Sequence, residues 1–204
     1  MSQIDQINLR ADDEDDDEEK QQSPDVLMQK MLKTRTILLS GQINKELAER
    51  VVRQLLLLED QSDEPIKVFI DSPGGDADAG YAILDMMRFI APDVYTIGMG
   101  LVASAGALIL LSSPKEHRIG LPNSHYLIHQ PLSGMRGVAT DIEIHAREIE
   151  KMRQRINELI SGETGQPIEK VEKDTDRDFW MSAQEAVEYG LLSRIVTSRS
   201  DLGV

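Results

Sequence analysis

The stretch GMGLVASAGA, residues 98–107, joins an apolar strand pattern to a helical one, and its small residues surround a single hydroxyl, that of Ser104. Gly and Ala on every side let a second backbone or a substrate come close, and a helix starting here aims its first free N–H groups at the same spot. A turn of this kind can present a serine nucleophile. It is equally an ordinary way to pack a strand against a helix, so the rest of the chain has to decide between the two.

Working outward, strand and helix patterns alternate. Before the turn, Thr36 to Ser40 is a short apolar run ended by Gly41. Asn44 is placed to cap a helix through Leu58 whose apolar face holds Leu47, Val51, Leu55 and Leu58. Lys67 to Ile70 reads as a strand stopped by the turn run SPGGD, residues 72–76. A helix from about Ala77 to Ile90 then breaks before Pro92, and Val94 to Ile97 is the strand that leads to Ser104. After the turn, Ala105 to Leu111 is apolar on all sides and predicts a buried helix. His117 to Ile119 and Tyr126 to Ile128 read as strands. Residues 139–161 carry the longest helical pattern, with paired charges such as Glu143 with Arg147 and Glu150 with Arg153. Short helices near Pro167 to Lys173 and Ser182 to Tyr189, the second closed by Gly190, and a strand Arg194 to Val196 complete the body. Repeated strand, helix, strand units imply right-handed crossovers, a largely parallel sheet and an α/β class.

The 204 residues suit one α/β domain with appendages. The chain has no cysteine, which excludes disulfides, thiolate metal sites and a cysteine nucleophile and fits a reducing, cytoplasmic location. No run approaches the ~18 apolar residues that read as a membrane span, and no basic-then-apolar signal pattern opens the chain. Neither membrane nor nucleic acid is expected as a partner, and neither metal nor cofactor. The net charge is −14, but residues 1–25 hold ten acidic groups against Arg10 and Lys20. More than half of the net charge therefore belongs to an N-terminal tail, whose eight consecutive acids repel one another and predict disorder. The remainder, about residues 26–197, is the folded domain, and 198–204 reads as a C-terminal tail.

A serine nucleophile requires a base, an orienter for that base and donors for the oxyanion. Of the four histidines, His129 stands just after an apolar strand and just before Gln130-Pro131, so its imidazole is released at a strand end, where open α/β sheets put chemistry. A lone histidine there also serves as a cap or a satisfied core residue. The run Lys173-Asp-Thr-Asp-Arg-Asp178 offers Asp174, Asp176 and Asp178 as orienters, and spacing does not rank them; a solvated charge run is the plain alternative. In SPGGD, Pro73 fixes one dihedral while Gly74 and Gly75 permit positive φ and remove side chains from an approaching chain. The Lys and Ser/Thr of a phosphate loop are missing. An oxyanion donor or an edge for an extended peptide fits this loop better, with a simple turn as the alternative.

Five runs taken together, SPGGD (72–76), GMGLVASAGA (98–107), LPNSHYLIHQPLSG (121–134), ATDIEIHAREI (139–149) and TGQPIEKVEKDTDRDFWMSAQEAVEYGLL (164–192), resemble the ClpP family, the proteolytic subunits of the ATP-dependent Clp protease. The resemblance covers the chain from about residue 36 to 196, in order. It implies a ClpP/crotonase-like α/β fold with a protruding handle helix at about 134–161. It also implies a serine endopeptidase with Ser104 as nucleophile, His129 as general base and Asp178 as orienting carboxylate. The N–H groups of Gly75 and Ala105 align with the oxyanion pair, and Asp176 and Arg177 with positions that join two stacked heptameric rings. The implied partners are an AAA+ unfoldase of the ClpX, ClpA or ClpC type and unfolded protein or peptide substrates. Two departures stand out. The acidic block replaces an apolar N-terminal segment, and Lys67 stands where many relatives carry an aromatic residue of the unfoldase-docking pocket. Both suit a divergent paralogue, one that is weakly active or regulatory and works in a mixed ring with another subunit.

Overall fold

The computed structural model describes residues 24–204. Nearly all of the expected acidic tail lies outside them. The chain runs α1 (Pro24–Lys33), β1 (Thr36–Ser40), α2 (Lys45–Gln61), β2 (Ile66–Ser72), α3 (Ala77–Phe89), β3 (Val94–Ala103), α4 (Ala105–Leu110), β4 (Arg118–Gly120), β5 (His125–Ile128), α5 (Ala139–Thr164), α6 (Ile168–Thr175), β6 (Phe179–Ser182), α7 (Ala183–Tyr189) and β7 (Arg194–Ile195). The sheet order is β1-β2-β3-β4-β7, all parallel, with β5 paired to the far half of β3. This is the α/β arrangement that the alternating patterns predict.

Local chemistry fixes the element ends. The Asn44 side chain accepts the Leu47 N–H at 2.8 Å and starts α2. The Asp76 side chain accepts the Ala79 N–H at 2.7 Å and starts α3, while Ser182 and Glu185 form a capping box at α7. The buried face of α2 is Leu47, Ala48, Val51, Leu55 and Leu58, packed with Ile83, Leu84 and Met87 of α3 over the inner face of β1 to β3. Helix α4 is buried along its whole length, as its uniformly apolar sequence requires.

Strand β3 is longer than its apolar core Val94 to Ile97 suggests, because it serves two neighbours in turn. Its first half pairs with β4 through Thr96, Ile97 and Gly98, and its second half pairs with β5 through Leu101, Val102 and Ala103. The switch happens where Tyr126 of β5 crosses over Gly98; a Cβ at that position would lie 2.3 Å from the tyrosine oxygen. The Tyr126 hydroxyl bonds to Ser124 Oγ at 2.8 Å, and burial pushes its pKa up to about 12, so it stays a neutral hydrogen-bonding group at any working pH.

One strand escapes the sequence pattern. β6 is four residues long and antiparallel to β5, and its last residue doubles as the cap of α7, so its apolar run, Phe179 to Met181, is too short to mark a strand. The long helix also begins later than the expected handle, at Ala139, because Pro131, Gly134 and Gly137 keep the preceding segment out of helical conformation. Only the second half of α5 packs on the body, through Ile156, Asn157, Ile160 and Thr164, while Ile142 and Ile144 near its start are exposed. Residues 198–204, expected as a tail, hold a 3-10 turn at Arg199–Leu202 that buries Leu202.

Candidate active site

Three strands deliver the candidate residues to one place from their carboxyl ends. β2 ends at Ser72 and continues into Gly75; β3 ends at Ala103 and delivers Ser104; β5 ends at Ile128 and delivers His129. All three residues line one groove of about 720 Å³, together with Pro131, Leu132 and Met152. This is the edge of a parallel sheet where side chains and helix starts converge.

Ser104 occupies a strained turn, with φ 56° and ψ −121° at a residue that has a Cβ. The strain is held by its surroundings. The Ser104 N–H donates to Leu127 O at 2.9 Å, and helix α4 begins at the next residue. A strand-to-helix elbow of this form lifts a hydroxyl clear of the sheet. The Oγ makes no hydrogen bond in the single subunit, to His129 or to any other described group.

The imidazole of His129 is pinned from the other side. Its Nδ1 lies 3.0 Å from Asp178 Oδ1, and the next residue, Gln130, donates its N–H to Thr175 O at 2.7 Å and its side-chain amide to Asp176 O at 2.7 Å. The β5–β6 ladder explains why Asp178 is the partner. Ile128 pairs with Phe179 in antiparallel register, so the next position on each strand sets residue 129 across from residue 178. Spacing leaves Asp174, Asp176 and Asp178 equivalent; the short strand puts Asp178 beside the imidazole. Asp174 instead faces Lys170, 2.5 Å away, and Tyr189, 3.0 Å away. Asp176 lies 3.8 Å from Arg153 on α5, and Arg177 is exposed.

The SPGGD loop leaves one backbone N–H unpaired at a residue that lines the groove. Ser72 Oγ donates to Gly41 O at 2.6 Å and accepts the Gly74 N–H at 3.1 Å. Ile43 then makes a parallel bridge that uses Gly74 O and the Asp76 N–H, both at 2.9 Å, and leaves the Gly75 N–H without a backbone partner. The Ala105 N–H, at the first position of α4, is free in the same way. Gly75 has φ 149°, and a Cβ there would sit 2.1 Å from Ile43 O. Gly75→Ala therefore has to displace the loop. Cleavage of a peptide substrate by this variant should fall about 10²- to 10³-fold, the loss expected for one oxyanion donor, and a rate within twofold of wild type would remove Gly75 from that role.

Among the described residues no group of three or more His, Cys, Asp or Glu side chains is placed to hold a metal, and no helix is long and apolar enough to cross a membrane.

The family model described as Clp protease matches residues 18–199. The chain belongs to the Clp protease family. It is 66% identical over 179 residues to the ATP-dependent Clp protease proteolytic subunit 2 of Treponema denticola, covering 87% of this chain and 90% of that one. It is 54% identical to proteolytic subunit 3 of Rhizobium johnstonii, covering 84% and 89%. Among solved structures, a point mutant of ClpP1 from Listeria monocytogenes superposes with a TM-score of 0.81 at 52% identity, covering 86% of this chain and 99% of that one. The fold is therefore the ClpP fold, and the chain is a ClpP-type peptidase subunit. Two further contacts near the groove then gain interest. Thr175 and Asn157, both buried, share a 2.8 Å hydrogen bond that ties α5 to the segment carrying Asp178. Ser133 and His145 are 2.8 Å apart at the rim of the groove. Nothing in their spacing singles them out: Asn157 meets Thr175 only where the second half of α5 packs on the body, and Ser133 meets His145 only through the non-helical segment before α5.

Proposed function

We propose that the chain is a serine endopeptidase acting through Ser104, His129 and Asp178. The observation that carries the reading is the 3.0 Å His129–Asp178 pair in the groove that also holds Ser104 on its strained turn. Ser104 Oγ attacks the substrate carbonyl carbon as His129 Nε2 takes its proton, and Asp178 holds the Nδ1–H tautomer and stabilises the imidazolium. The oxyanion accepts the N–H groups of Gly75 and Ala105. Collapse breaks the C–N bond as His129 returns the proton to the leaving amine. Water, deprotonated by His129, then attacks the acyl-enzyme; its proton passes back to Ser104 Oγ as the carboxylic product leaves. The substrate lies extended between the SPGG loop and residues 132–137, as an added strand.

The assembly in this reading is two stacked heptameric rings joined through α5. Asp176 and Arg177, both exposed on the single subunit, make the ring-to-ring ion pairs. The ATP-dependent step belongs to an AAA+ unfoldase of the ClpX, ClpA or ClpC type, which feeds unfolded chains to the cytoplasmic barrel. A fluorophosphonate probe should label Ser104, and recovery of the label at any other residue would overturn the assignment.

One observation favours a second reading. Ser104 and His129 share no hydrogen bond in the lone subunit, so the relay has to be completed by assembly, and a paralogue in a mixed ring would supply that as well as a second copy. Cleavage of a short fluorogenic peptide by the purified chain supports the homo-oligomer; cleavage only after mixing with a paralogue supports the regulatory subunit.

The acidic block bears on substrate entry. If residues 1–25 screen the entrance, their deletion raises cleavage of acidic peptides several-fold at about 10 mM salt, where the Debye length is ~30 Å, and far less at about 1 M, where it is ~3 Å. Equal gains at both salts would reduce the tail to a solubilising segment.

A further inference from the structure

Pro131, Leu132 and Ser133 line one side of the groove, yet among the described residues the segment 131–138 that they open has almost no backbone hydrogen bonds of its own. Gln130 is tied to Thr175 just before it, and Val138, its last residue, accepts the Ile142 N–H of α5. Between those anchors the backbone is exposed and non-helical. The one side-chain tie across to the body of α5 is Ser133 Oγ to His145 Nε2, at 2.8 Å. Both residues line the same groove as Ser104 and His129. His145 is half-buried on the groove-facing side of α5, flanked by Glu148 and Ile149 on the lining.

We propose that Ser133 and His145 are a positioning pair that holds segment 131–138 at a fixed distance from the SPGG loop, with its backbone N–H and C=O groups free to pair with an extended peptide. The inference rests on the peptidase reading and adds to it the device that sets substrate affinity. Two ends are pinned by backbone contacts, and the seven residues between them, 131–137, including Gly134 and Gly137, have no other backbone tie. An unpinned edge has to be ordered each time a peptide binds, and that ordering subtracts from affinity; a pre-ordered edge avoids it. The bond survives a change of His145 protonation, because a neutral Nε2 accepts from the hydroxyl or donates to it according to tautomer, and an imidazolium donates to it. Neither residue reaches the reacting atoms in this scheme, so their effect belongs to binding.

The test uses the full chain in its native assembly with Ser104→Ala as background, so that binding is read without turnover. A fluorescent decapeptide is titrated against Ser133→Ala, His145→Ala, the double variant and His145→Gln, whose amide can both donate to and accept from the Ser133 hydroxyl. One hydrogen bond of ordinary strength corresponds to a weakening of about two- to tenfold. Each alanine variant should weaken binding by that factor, the double variant should be no weaker than either single, and His145→Gln should bind close to background. Additive losses in the double variant, unchanged affinity throughout, or failure of His145→Gln to recover affinity while its assembly is intact would each overturn the pair. Fluorophosphonate labelling of the chain with Ser104 intact tests the underlying peptidase reading separately: absence of label there sinks that reading whatever the titrations give.

Discussion

Ser104→Ala should lower peptide cleavage on the order of a millionfold, to the level left by binding and the oxyanion donors alone, with the fold intact. The two halves of this expectation have different physical sources. The chemical loss follows because every covalent step of the proposed mechanism goes through Oγ, and no other described hydroxyl in the groove sits on an elbow between a strand end and a helix start. The intact fold follows because Oγ makes no cap or other hydrogen bond in the subunit, and Ala tolerates φ 56° no worse than Ser does. The Ser104 N–H to Leu127 O bond, which ties the turn to β5, is a backbone contact that survives the change. The thermal midpoint should therefore shift by less than about 2 °C, as for a substitution that removes no buried contact. Peptidase rate and thermal unfolding measured on one preparation check both halves; a variant that unfolds early would show that the serine is there for packing, and a variant that still cleaves would move the nucleophile elsewhere.

The turn at Ser104, the helix cap at Asn44, the glycine that closes the helix at Tyr189 and the largely parallel sheet are legible in the sequence because each depends on neighbours within a few residues: an apolar run, a capping side chain, a glycine. The partner of His129 is of another kind. It depends on a register between β5 and a four-residue strand far along the chain, whose Trp180 is exposed and whose Ser182 is spent on capping a helix. Period-two hydrophobicity has no room to show itself in a strand that short, so from spacing alone Asp174, Asp176 and Asp178 are equivalent, and only the resemblance to the ClpP family distinguishes them. The same holds for Ser133 with His145. Each is an ordinary polar residue until the non-helical segment 131–138 runs back along α5. What the residues dictate locally is the scaffold; what the site needs is mostly long-range pairing, and it is carried by contacts that no local pattern encodes.

The register of that pairing makes the second large effect specific to one carboxylate. Asp178→Asn should lower the acylation rate by about 10⁴-fold, and Asp174→Asn should leave it within a few-fold. At 3.0 Å from Nδ1, the Asp178 carboxylate can only accept, which fixes the proton on Nδ1 and the lone pair on Nε2, where a base is needed. An asparagine in the same place can turn its NH₂ toward the ring, hold Nδ1 as the acceptor and leave the proton on Nε2, where it blocks the transfer from Ser104. Volume and hydrogen-bond count hardly change, so stability should not. The Asp178 side chain is 61% exposed in the single subunit, against 14% for His129, so water competes for this carboxylate. Nitrogen chemical shifts of His129 should report the Nε2–H tautomer in the variant. Asp174 is committed to Lys170 and Tyr189 on the far side of α6, and losing its charge costs that local network without reaching the imidazole. Equal rates for Asp178→Asn and the parent would mean that the ladder places this carboxylate beside His129 for structure alone, with the tautomer set by some other group.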